Sequence, residues 1–151
     1  MKKEFEDYFS DIQSDMVAIT LEYVESRAEK IYVYCSVEEN VVSSGFFYKI
    51  NGQIVKKNKL NNILQQGESL YDVSIDRQKA AVNIINDDIK KLMKLCTEYE
   101  KDMPTQIKII YDIGANSLNA DYRYDLVFSG TSTKSAFDIL EEWVEQESKN
   151  C

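Results

Sequence analysis

Acidic side chains are the residues of this chain whose types and spacing come closest to a chemical site. The chain has no histidine, which excludes Ser-His-Asp and Cys-His nucleophilic machinery and the commonest proton shuttle at neutral pH. Asp11 and Asp15 are four residues apart, so on a helix they share a face and could hold a divalent cation together with water. A solvated helix surface is the better explanation of that spacing, and the adjacent Asp87 and Asp88 cannot both face one ligand. We therefore predict no catalytic residue, no metal ligand and no cofactor, in a protein that is not an enzyme.

Cysteine and glycine usage points the same way. The three cysteines, Cys35, Cys96 and Cys151, are scattered and odd in number, so neither a disulfide framework nor a zinc site is indicated. Cys35 and Cys96 lie on apolar stripes, and we expect both to be buried. The five glycines form no phosphate-binding or dinucleotide-binding loop.

Length and charge limit the classes of protein to which this chain can belong. A chain of 151 residues with 44% hydrophobic residues fits one domain, residues 1–151, with a real core. The formal net charge of −8 disfavours direct binding to nucleic acid and suits a basic protein partner. The first residues, MKKEFEDYF, are unlike a signal peptide, and no stretch approaches the roughly 20 apolar residues of a membrane span. We expect a cytoplasmic protein that makes no membrane contact.

The spacing of apolar residues predicts the α+β class. Steps of three and four indicate helices, period-two alternation indicates strands, and Asn51-Gly52 is a strong hairpin signal. Because the strands come in hairpin groups, we expect one antiparallel sheet of about five strands with packed helices, in the order αβββαββα. The predicted helices cover about 4–28, 74–101 and 134–149, and the predicted strands lie within 30–37, 42–50, 53–60 and the hairpin 107–126.

The last hairpin has an apolar and a charged side. Its apolar side, which includes Ile107, Ile109, Tyr122 and Tyr124, is expected to be core, and its charged side faces either water or a partner. In the meander before it, Tyr32, Tyr34 and Phe47 have the parity that points away from this core. Exposed tyrosines are typical of protein interfaces, whereas a helix packed on the second face of the sheet would bury them.

Charge is segregated along the chain. The first 30 residues carry eight acids against four bases, and residues 102–151 carry nine against four. Residues 49–59 carry four lysines and no acid. Lysines on a strand also protect a sheet edge against aggregation, so this basic segment does not by itself indicate a function.

The order of elements, together with two sequence stretches, resembles a known family. The aromatic meander IYVYCSVEENVVSSGFFYKINGQIV and the later MPTQIKIIYDIGANSLNADYRYDL are similar to those of the YezG-like immunity proteins, over roughly residues 5–147. Thr105 stands where that family usually has a tryptophan. The resemblance implies a single YezG-like domain that acts as a cytoplasmic antitoxin of Gram-positive bacteria. Its partner would be a polymorphic toxin, often a nuclease with an LXG-type export domain.

The resulting hypothesis is stoichiometric binding of a basic toxin through an acidic surface that also carries aromatic residues, since complementary charge speeds association and selects the partner. The predicted contact residues are Tyr32, Tyr34, Phe47, Asp112, Asp121, Arg123 and Asp125. A rival set on the first helix is Asp7, Asp11, Asp15 and Glu22. A protein-interaction adaptor unrelated to a toxin and a carboxylate-based metal enzyme are the alternatives, and the sequence leaves the oligomeric state open.

Overall fold

A computed structural model describes residues 4–129 and 133–151. It has three α-helices and a five-stranded antiparallel sheet in the order αβββαββα, so the predicted α+β architecture is confirmed. A short 3₁₀-helix, Leu60–Ile63, precedes the second α-helix. The elements are α1 (Phe5–Tyr23), β1 (Lys30–Glu38), β2 (Val41–Ile50), β3 (Gln53–Lys56), α2 (Ile75–Glu98), β4 (Gln106–Asp112), β5 (Ser117–Arg123) and α3 (Ala136–Lys149).

The sheet has the order β3-β2-β1-β4-β5. Two tight hairpins set the meander: β1 joins β2 through Glu39 and Asn40, and β2 joins β3 through Asn51 and Gly52. The backbone φ angles of Asn51 and Gly52 are +52° and +76°, as a type I′ turn requires, so the predicted hairpin is confirmed. The central pairing is between β1 and β4, with Val33 opposite Phe46 on one side and Ile109 on the other.

Helices α1 and α2 pack on one face of the sheet and form the main core. Met16, Ile85 and Ile89 are fully buried against the inward side chains of β1, β2 and β4. Cys35 and Cys96 are also buried, as predicted, and burial raises the pKa of the Cys35 thiol to about 12.

Helix α3 covers the second face, and this corrects one prediction. The rings of Tyr32 and Phe47 stack with centroids 4.5 Å apart, and Trp143 of α3 packs edge-on against both, at 5.7 and 5.0 Å. Tyr32, Tyr34 and Phe47 are only 3%, 1% and 1% exposed. The prediction that these three residues face a partner is therefore wrong, because the last helix supplies the cover for their face of the sheet.

Helix ends differ slightly from the predicted boundaries. Helix α1 stops at Tyr23 because Glu25 and Ser26 adopt positive φ angles of 55° and 58°, which a right-handed helix cannot contain. Helix α2 begins at Ile75, after the N-cap Ser74, whose hydroxyl accepts a hydrogen bond from the Arg77 amide. Within the described residues, no helix combines the length and the apolar character needed to cross a membrane.

Candidate protein-binding surface

Strand β5 lies at the edge of the sheet, where α1 covers it only in part. Its partner β4 buries Ile107 and Ile109 at 1% and 0% exposure, so the apolar side of the hairpin is core in that strand. The same side of β5 and of the residues after it is exposed, which contradicts the expectation for this half of the hairpin. We call the exposed residues the β5 stripe: Leu118 (37%), Tyr122 (40%), Tyr124 (58%) and Leu126 (51%).

A groove of about 520 Å³ separates the β5 stripe from α1. Phe5 and Phe9 of α1 form one wall, and Tyr122 and Tyr124 form the other. The rings of Phe9 and Tyr122 meet edge-on at 5.8 Å, and Gln13 Nε2 donates a 2.8 Å hydrogen bond to the Tyr122 hydroxyl. These contacts fix the inner wall in place while leaving the outer tyrosine, Tyr124, open to a ligand.

Charged groups lie beside these aromatic walls. Glu6 and Asp102 also line the groove, together with Lys101, whose ammonium lies 5.9 Å from the centre of the Phe5 ring. An opening with aromatic walls and two carboxylates suits a side chain that has both an apolar stem and a positive charge, such as arginine or lysine.

The outer surface of α1 extends this acidic character. The helix contains five acidic residues and no lysine or arginine over its 19 positions. The rival predicted contact residues Asp7, Asp11 and Glu22 are all exposed there. Asp7 has a structural role as well, since its Oδ2 accepts a 3.0 Å hydrogen bond from the Glu4 amide in the capping box at the start of α1.

Asp15, the fourth residue of the rival set, lies against a buried carboxyl group of α2. Its carboxylate contacts that of Asp88, which is 1% exposed. Burial, reinforced by the negative charge of Asp15, raises the pKa of Asp88 to about 7. The ammonium of Lys91, 3.7 Å away, offsets this only in part. Asp88 Oδ2 has no hydrogen-bond partner among the described residues. When Asp88 is protonated, its carboxyl group can donate a hydrogen bond to the Asp15 carboxylate.

The charged side of the last hairpin is a surface of paired opposite charges. Asp121 faces Lys108 across the strands, and Arg123 donates to both Asp125 oxygens at 3.2 and 2.7 Å. Burial and the nearby Arg123 lower the pKa of Lys108, whose ammonium lies 5.1 Å from the centre of the Trp143 ring. Asp112 caps the hairpin turn by accepting from the Ala115 amide at 3.0 Å. These predicted residues are accessible, but each acid already has a donor or a base beside it.

Glu38 is a buried acid that the sequence reading missed. Its carboxylate, 2% exposed, accepts hydrogen bonds from three successive amides, those of Val127, Phe128 and Ser129, at 3.0, 3.3 and 3.0 Å. Burial acts to raise its pKa, but these amides outweigh burial and hold the pKa below its ordinary value. The contact ties the end of β1 to the chain after β5, so its role is structural.

The arrangement differs from that of a metal centre. Among residues 4–129 and 133–151, no group of three or more His, Cys, Asp or Glu side chains is placed to hold a metal ion. The pair Asp11 and Asp15 splits in the fold, because Asp15 engages Asp88 of α2. The groove and the outer surface of α1 present aromatic rings and carboxylates.

Comparison with known proteins does not identify a family. No protein-family model matches the chain, and no curated protein matches it. The YezG-like resemblance therefore stays a prediction from the sequence.

Proposed function

We propose that this protein is an antitoxin that binds a basic toxin, such as a nuclease, one to one and thereby neutralises it. The observation that carries the proposal is the position of the aromatic groove beside α1, a helix with five acids and no base. Exposed tyrosines supply contact area at modest entropic cost, and the neighbouring acids speed the approach of a cationic partner. The contact surface is accordingly assigned to α1 and the β5 stripe in place of the buried aromatics of the meander.

Charge explains why a nuclease suits this surface. An enzyme that cuts nucleic acid binds a phosphate backbone through lysines and arginines. A helix that displays carboxylates in a row can occupy the same cleft, and no catalytic group is required for that inhibition. The exposed Tyr124 side of the groove would receive one side chain of the toxin at the margin of this contact.

The proposal is tested by capturing the partner from a lysate of the source cell on the tagged protein, followed by binding kinetics on the purified pair. We expect one basic protein, with an association rate that falls as salt rises. The variant Asp11→Asn/Glu22→Gln should lower that rate. The variant Glu142→Gln/Glu145→Gln on α3 removes the same charge elsewhere and serves as the matched control. Tyr124→Ala should increase the dissociation rate.

A growth experiment separates an antitoxin from an adaptor. Expressed alone, the captured partner should arrest growth, and co-expression of this protein should restore it. A partner that is harmless alone would favour the adaptor class. A partner that binds both paired variants with the same kinetics would remove α1 from the interface and contradict the proposed surface.

A further inference from the structure

The outer edge of β5 is an open set of backbone hydrogen-bonding groups. Within the described part of the chain, β5 is one of the two edge strands of the sheet, and β3 is the other. The Arg123 carbonyl accepts a 2.7 Å hydrogen bond from the Thr105 amide, on the β4 side. Because neighbouring residues of a strand turn their amide and carbonyl groups to opposite edges, the groups of Leu118, Ala120 and Tyr122 point away from the sheet. These are the groups through which an edge strand adds another strand.

The side chains of β5 are complementary to a second copy of β5. In an antiparallel pair with Tyr122 opposite Tyr122 of a second molecule, Asp121 of each copy faces Arg123 of the other. In one molecule both residues are exposed, Arg123 is paired with Asp125 and Asp121 lies opposite Lys108, so the contact between copies would join these pairs into one network. Asp121 and Arg123 of the other copy would form a non-hydrogen-bonded pair of the antiparallel ladder. In such pairs the side chains of the two strands approach most closely. The face of the sheet that α3 covers would then carry a row of alternating charges, formed by Lys108 and Asp121 of one copy and Arg123 of the other.

Neighbouring registers are disfavoured by the same residues. A pair centred on Asp121 places two carboxylates opposite each other. A pair centred on Arg123 places two guanidinium groups opposite each other and Asp121 opposite Asp125. Like charges directly opposite destabilise a strand pair. On the apolar side, the register centred on Tyr122 places Ala120 opposite Tyr124 and Leu118 opposite Leu126, where Tyr124 and Leu126 are exposed residues that follow the end of β5 at Arg123.

We propose that two copies of this protein pair through β5, in antiparallel register about Tyr122, to form a continuous ten-stranded sheet. The two-fold axis runs perpendicular to the sheet, so both grooves and both α1 helices lie on the same side of the dimer. The interface is narrow, and each molecule carries a net charge of −8. The dimer is therefore of the weak, concentration-dependent kind. This inference is independent of the identity of any partner.

Sedimentation equilibrium of the purified protein, up to about 0.3 mM, tests the proposal. We expect a monomer–dimer equilibrium that Ala120→Pro shifts at least about tenfold toward monomer. Proline at position 120 removes the backbone N–H that would bond the second copy, and this N–H points away from β4. An edge strand tolerates a proline at such a position. Arg123→Asp should also dissociate the dimer, since it opposes two acids across the interface. The double variant Asp121→Arg/Arg123→Asp restores an unlike pair and should restore dimerisation. Asp87→Arg, on the exposed side of α2, is a matched control for the charge reversal at Asp121.

Two results would overturn the inference. One is a wild-type protein that remains monomeric over the whole concentration range. The other is a dimer that Arg123→Asp leaves intact, or that the double variant fails to restore. Circular dichroism of each variant shows whether it is folded, and the charge-reversal set carries the decision if the proline variant does not fold.

Discussion

Replacing Asp88 by asparagine should stabilise the protein at alkaline pH. Asp88 is buried beside Asp15, and its pKa rises from 3.8 to about 7 in the folded state. The folded state therefore holds this proton more tightly than the unfolded state does. The contribution of Asp88 to stability is thus greatest below the unfolded pKa and is lost as pH rises toward the folded pKa. Asparagine keeps the shape, stays neutral and can still donate a hydrogen bond to the Asp15 carboxylate.

The size of the effect follows from the pKa difference. About three pKa units correspond to at most about 4 kcal/mol. The pKa of about 7 already includes the opposing ammonium of Lys91, and the hydration of exposed Asp15 reduces the expected gain to about 2 kcal/mol at pH 8. Roughly 1 kcal/mol of that gain should develop between pH 5 and pH 8. The two proteins should be close in stability at about pH 3, below the unfolded pKa of 3.8, where Asp88 is protonated in both folded and unfolded chains.

Urea denaturation of wild type and Asp88→Asn across this pH range measures the difference directly. Comparing the two proteins at each pH cancels the titration of other groups. Asp87→Asn, one residue earlier and exposed, removes the same charge from α2 and should change stability little at any pH. A stability difference that stays flat with pH, or an Asp88→Asn protein less stable than wild type at pH 8, would refute the assignment of a protonated, buried Asp88.

Two further predictions concern the stability of the fold. Glu38→Gln should lower stability by about 1–2 kcal/mol at pH 7 because three amides lose a charged acceptor. That loss should shrink as pH falls through the folded pKa of Glu38, which lies below 4.5, and thermal unfolding at pH 7 and pH 3.5 measures it. Gly45→Ala should cost about 1–3 kcal/mol, because a Cβ there would collide with Leu140 of α3. Gly114→Ala, where a Cβ would make only an ordinary contact with Asp112, is the matched control, and an unchanged melting temperature for Gly45→Ala would mean that α3 does not pack tightly on β2.

The order of elements could be predicted from the sequence because it depends on local signals. Period-two alternation and the Asn51-Gly52 turn are read within a few residues, and the structure has both. Strand neighbours and helix positions depend instead on contacts between distant segments, such as Val33 with Ile109. The pairing of β1 with β4 and the placement of α3 therefore could not be predicted, and the exposure of the aromatics was reversed: Tyr32 is buried and Tyr124 is open.

The sequence contains a signal for the burial of Asp88 that the predictions did not use. Asp88 lies on the same helical stripe as Ile85, Ile89 and Leu92, all of which are buried, so its position alone predicted a buried carboxyl group. Asp87, the adjacent residue, lies off this stripe and is exposed. What the sequence could not show is that Asp15 of α1 would face Asp88, because the contact of α1 with α2 is a property of the fold.

The contact between Asp15 and Asp88 links the proposed binding surface to the proton on α2. Asp15 lies one helical turn from Asp11, so a cationic partner on α1 would bring positive charge close to both carboxyl groups. Positive charge favours the ionised form and lowers the pKa of Asp88. Formation of such a complex therefore releases a proton near neutral pH, and by linkage the affinity must rise as pH increases through about 7. In Asp88→Asn that dependence disappears while the acids of α1 remain. The repulsion between Asp15 and Asp88, which lowers the stability of the protein alone, would thus be reduced in the complex.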